Sequence, residues 1–117
     1  MQNREVEPFP KQNYEFTATV DHLAGDIVYD GGRYGRVVDD VAATAKGMMS
    51  CRGVFECDKK TTANTWSDNA KLEAVVDGTT KHVTLQALDM GICIGRAVGA
   101  TVGTDTYAVI ELIPEMN

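Results

Sequence analysis

The side chains best suited to nucleophilic or metal chemistry are three cysteines, Cys51, Cys57 and Cys93, and two histidines, His22 and His82. Zinc-type sites tend to draw ligands in close pairs, as Cys-x-x-Cys or His-x-x-x-His, because a short piece of chain then presents both to one ion. Neither spacing occurs here. Cys51 and Cys57 are six residues apart, and His82 and Cys93 lie far along the chain. Cysteines scattered through strands read as small core residues, so no metal ligand and no cofactor is expected. An odd cysteine count at irregular spacing is not a disulfide framework; three free thiols, or one bridge with one thiol left over, both fit it. Nucleophilic catalysis would need Ser or Cys beside a His and an orienting acid. Ser50 and Ser67 sit in no nucleophile elbow, His22 falls in the turn "VDHLAGD", and His82 reads as a surface residue sharing a strand face with Thr84 and Gln86. The neighbouring Asp39 and Asp40 close a strand and read as solvated turn acids. No catalytic residue is assigned.

The other stretch with chemical promise is "GDIVYDGGRYGRVV", residues 25–38. A phosphate loop needs a strand, a glycine loop ending in Lys-Ser/Thr, and a helix whose N-terminus faces the anion. Here Lys-Ser/Thr is missing and a β-patterned segment follows. Asp-Gly and Gly-Gly instead supply the positive φ angles of a tight hairpin turn, so the glycines are expected to join two strands.

The elements that would position these residues are almost all strands. "YEFTATV" alternates, with Tyr14, Phe16, Ala18 and Val20 on one face. "DIVYD" and "RYGRVV" flank the Gly-Gly turn. "MMSCRGVFEC" reads as one strand with a bulge at Gly53, which places Cys51, Gly53, Phe55 and Cys57 on one side. "AKLEAVV" and "KHVTLQAL" flank the turn "DGTT", and "GICIGRAV" and "TYAVIELI" close the set. "DDVAATAKG" and "TTANTWSDNAK" are rich in β-branched and cap-type residues and read as long loops. The expected fold is all-β: a small single-domain β-barrel or sandwich of short antiparallel strands over residues 14–117. Residues 1–13, with Pro8 and Pro10, show no period and form an extended N-terminal arm, loose or laid on a partner. Trp66, the single tryptophan, is a core plug at one barrel end or an interface anchor.

Bulk properties narrow the partners. A chain of 117 residues with 44% hydrophobic and 24% charged residues is one globular domain. Its net charge of −6, from 17 acidic and 11 basic residues, opposes a phosphate backbone, and the basic residues are scattered. Nucleic acid is therefore not an expected partner. Apolar runs are only a few residues long, so neither a membrane span nor a signal-peptide core is expected.

The order of short motifs resembles a family of small decoration, or cement, proteins of tailed-bacteriophage capsids. The matching residues are Gly25–Val28, Gly31–Gly35, Asp40–Ala43, Gly53–Phe55, Lys59, Trp66–Lys71 and Ile94–Ala97. With the strands around them and a closing "AVIEL", the resemblance covers about residues 14 to 113. The departures are the three cysteines, the long N-terminal segment, and "ECDKK" where the family places a proline before the lysine. Some members carry a RecA/RadA-like recombinase label, which gains nothing from a chain without a nucleotide loop. The resemblance implies a structural β-barrel, not an enzyme, that binds the outer surface of an expanded phage head after synthesis in the bacterial cytoplasm. It implies the major capsid protein as partner, a homotrimer as the assembly, and capsid contact through the arm, at Pro8, Phe9, Pro10 and the adjoining Tyr14. The competing readings are another phage β-protein, of the head–tail joining or tail type, and a small enzyme or ligand-binding barrel using Cys51, Cys57 and His82.

Overall fold

The computed structural model describes residues 12–59 and 64–113. Among them no helix occurs, and the chain runs through nine strands: β1 (Asn13–Thr17), β2 (Ile27–Asp30), β3 (Arg33–Val37), β4 (Lys46–Ser50), β5 (Gly53–Asp58), β6 (Lys71–Val76), β7 (Val83–Ala87), β8 (Cys93–Ala97) and β9 (Tyr107–Leu112). They form two antiparallel sheets, one of order β1-β4-β3-β2 and one of order β5-β9-β8-β6-β7. The all-β expectation holds. So does the Gly-Gly hairpin: Gly31 and Gly32 take φ of 60° and 81° and join β2 to β3, with Tyr29 opposite Tyr34. Positive φ at both turn positions matches the right-handed twist of the flanking strands, and glycine reaches it without a Cβ clash.

One strand of the sequence reading is in fact two. β4 ends at Ser50, β5 begins at Gly53, and they belong to different sheets. Gly53, at φ 135°, sits in backbone space that side-chain-bearing residues rarely enter, and there the chain turns from one sheet to the other. The supposed common face of Cys51 and Cys57 therefore does not exist. Cys51 packs with Phe16, Val28, Val37 and Met49, whereas Cys57 packs with Ile27, Leu72, Leu85 and Ile110.

Strand β2 is the seam between these two clusters. Successive residues of a strand point to opposite faces; accordingly Ile27 enters one core and Val28 the other, and both are fully buried. Beyond β2 the second sheet begins almost without a break: Val28 bridges His82, and Tyr29 N–H donates to Lys81 O at 3.0 Å. On the far side Asp58 N–H donates to Gly25 O at 3.2 Å and Arg36 Nε donates to Glu56 O at 2.9 Å. Both margins of the five-stranded sheet, at β5 and before β7, thus meet the β2–β3 side of the other sheet, so the larger sheet curls as a half-barrel while β1 remains an edge strand.

Candidate functional site

The loops at the β1–β2 end are fixed by reciprocal bonds. His22 and Val41 exchange two backbone hydrogen bonds of 2.9 Å. Asp21 Oδ1 accepts from Ala43 N–H at 2.8 Å, and Asp40 Oδ1 accepts from Ala24 N–H at 2.8 Å. Asp40 is therefore a loop-locking acceptor, in keeping with its reading as a turn acid. The same loop carries His22, only 2% exposed, and Asp26, 3% exposed.

His82 reaches this pair from the other sheet. It lies just before β7, held through the Val28 bridge, the Asp77 N–H bond to His82 O at 2.9 Å, and the His82 N–H bond to Thr80 Oγ1 at 3.2 Å. Its imidazole stands edge-on to that of His22, with ring centroids 4.4 Å apart. Asp26 Oδ2 is 3.8 Å from His22 Nδ1 and 3.4 Å from His82 Nε2. The sequence reading placed His82 on a strand surface; instead its side chain is half-buried and turned inward to Asp26. That reading missed this cluster because two of its members come from one loop and the third lies far along the chain. His22 and Asp26, four residues apart, were the only local signal.

The second feature is a clamped apolar turn. The pairing of β6 with β8 shifts between Leu72 and Glu73. This bulge lets two consecutive residues both leave solvent: Leu72 enters the core, and Glu73 turns to the β7–β8 connection. Glu73 Oε1 accepts from Asp89 N–H at 3.0 Å and Gly91 N–H at 2.6 Å, and Oε2 accepts from Gln86 Nε2. The two backbone donors and the Gln86 amide hold the Glu73 carboxyl below its ordinary range, as hydrogen bonds to the ionised form do. The turn so held presents Leu88, Met90 and Ile92, with Met90 90% exposed.

Of the residues assigned from sequence, Pro8, Phe9 and Pro10 lie outside the described residues. Tyr14 is on β1, the edge strand of its sheet, with the Arg33 guanidinium 3.9 Å above its ring. Trp66 is buried, joins the core cluster of the five-stranded sheet, and bridges Thr101. Lys59 is wholly buried beside it; its amine donates to Val102 O at 3.4 Å and stands 5.6 Å from the indole centroid. A shallow cavity opens past Trp66, lined by Ser67, Asp68, Ala87 and Thr101 among others. None of Cys51, Cys57 and Cys93 is in a disulfide, and the Cys93 thiol donates to Gly95 O at 3.3 Å. Burial raises the Cys51 thiol despite the opposing Arg33 charge, and pushes that of Cys57 up to about 12.

The described residues form a small two-sheet β-structure whose ordered side chains brace loops and present an apolar turn. A family model described as phage cement protein matches residues 8–112, and the chain belongs to that family. Its place is accordingly the phage capsid, in a structural role. No curated protein and no solved structure matches the chain.

Proposed function

We propose that the protein decorates the outer surface of the expanded phage head and stabilises contacts between major capsid protein subunits, without catalysing a reaction. Family membership over residues 8–112 carries this reading. Three physical features support it. Residues 1–13 are proposed as a capsid-binding arm: the ring-fixed φ of Pro8 and Pro10 leaves such a segment less conformational entropy to lose on a partner. The clamped turn offers Leu88, Met90 and Ile92 already ordered. A net charge of −6 keeps a protein needed in many copies soluble. Weak contacts repeated over one lattice, or within a homotrimer, add up to firm retention.

The test mixes purified protein with expanded, undecorated heads and sediments them. Saturation at hundreds of copies per head is expected. Absence of binding by folded protein would overturn the reading in favour of a head–tail joining role, where copies number six or twelve. Removal of residues 1–13 should weaken binding while leaving the thermal transition in place. If the truncated protein decorates as well as the full chain, the arm has no capsid role.

A further inference from the structure

We propose that His22, Asp26 and His82 form a divalent transition-metal site, of the zinc type, that staples the two sheets together. His22 Nδ1, an Asp26 carboxylate oxygen and His82 Nε2 all lie within 4.8 Å of one another. Two ligands bound at about 2.0–2.1 Å to a tetrahedral ion stand about 3.4 Å apart. The Asp26–His82 separation of 3.4 Å meets that value, and the Asp26–His22 separation of 3.8 Å is within a small side-chain adjustment of it. Both exceed the 2.7–3.2 Å or so of an N–H···O hydrogen bond. A single ion between the three atoms accounts for the spacing better than direct bonding does.

Two further observations favour an ion. His82 Nε2 is shielded from solvent and makes no hydrogen bond within the described structure. Asp26 is oriented from outside the trio, because its Oδ2 also accepts from Leu23 N–H at 3.0 Å, the kind of supporting bond that fixes a metal ligand. The backbone at each ligand is pinned as well: His22 by Val41, Asp26 by its N–H bond to Leu23 O, and His82 by the bridge to Val28. Two imidazoles and one carboxylate suit zinc and its first-row neighbours and disfavour calcium or magnesium, which prefer all-oxygen shells. The His82 side chain, 28% exposed, is the ligand nearest solvent, and an ion would enter past it. Because His22 and Asp26 belong to the four-stranded half and His82 to the five-stranded half, the ion would cross the seam at β2, where Val28 meets His82.

The test titrates Zn2+ into the full, tag-free chain in chelator-treated buffer, with calorimetry, metal analysis after dialysis, and a thermal melt. One zinc per chain is expected, raising Tm by roughly 10 °C at a hundredfold excess over Kd. X-ray absorption should show only nitrogen and oxygen neighbours near 2.0–2.1 Å, and no sulfur near 2.3 Å. His82→Ala should lower zinc affinity tenfold or more, and Cys93→Ser should leave it unchanged. His82 is chosen because it is the least buried ligand; His82→Gln repeats the test with less loss of volume. Failure to take up stoichiometric zinc would overturn the proposal. So would sulfur in the metal shell, or zinc affinity equal to the parent's in both His82 variants.

Discussion

Gly95→Ala should be among the most damaging single-methyl additions in this protein, for reasons of space alone. Gly95 lies on β8, paired with Leu72 on one side and Leu112 on the other. Its φ is outside the positive range, so alanine meets no conformational obstacle. A Cβ there would stand 2.1 Å from Glu111 O, 3.1 Å from Glu111 C and 3.3 Å from Leu112 Cα, all backbone atoms of β9. A side chain could swing away; a central strand cannot. Relief requires β8 and β9 to part by about 1 Å, which costs about 1–3 kcal/mol of overpacking strain. Weakening one or two ladder hydrogen bonds adds about 1 kcal/mol each. The sum, about 2–5 kcal/mol, is a large part of the 5–15 kcal/mol or so that holds a domain of this size, and lowers Tm by roughly 8–20 °C. Two other glycines separate the causes. Gly78 has open space and no positive φ, so Gly78→Ala should change stability by less than about 0.5 kcal/mol. Gly32 has open space but φ of 81°, so Gly32→Ala should lose about 1–2 kcal/mol from backbone strain alone. Urea unfolding with a shared m-value ranks the three. A Gly95→Ala protein within about 1 kcal/mol of the parent would refute the steric reasoning.

The remaining predictions concern the titrating groups. Cys57, with its thiol pushed up to about 12 by burial, should resist an alkylating reagent in the native protein at pH 8 while the half-buried Cys93 reacts; mass spectrometry of the labelled peptides decides this. The sign of its pH dependence follows: the unfolded thiol ionises near 8.5 and the folded one only near 12, so its contribution to stability is complete below about pH 8.5 and lost as pH rises through that window. Denaturant melts of the parent and Cys57→Ala should therefore diverge in pH dependence only on the alkaline side. Glu73 shows the opposite sign: its lowered carboxyl value makes its contribution present above the ordinary carboxylate range and lost on acidification through its folded value. Glu73→Ala should speed amide exchange at Asp89 and Gly91 and leave the Ile110 amide, deep in the sheet, protected; uniform acceleration would mean that Glu73 supports the whole fold instead of one turn.

Much of the architecture was legible in the sequence because it rests on local rules. Alternation in "YEFT" and "YAVIEL", the Gly31-Gly32 turn and the "DGTT" turn each place a strand or a reversal without help from distant residues. The family was legible too, since an ordered series of short motifs is itself a property of the sequence. Tertiary structure decided what local rules leave open. An even spacing from Cys51 to Cys57 says that the residues share a face only if one strand holds them; the turn at Gly53 sends them to separate sheets. Strict alternation puts Leu72 and Glu73 on opposite faces, so the burial of both depends on a register shift against β8 that only the pairing reveals. His22, Asp26 and His82 meet because β2 lies beside the start of β7, and strand order of that kind is fixed by packing of the whole chain, not by the residues that happen to converge.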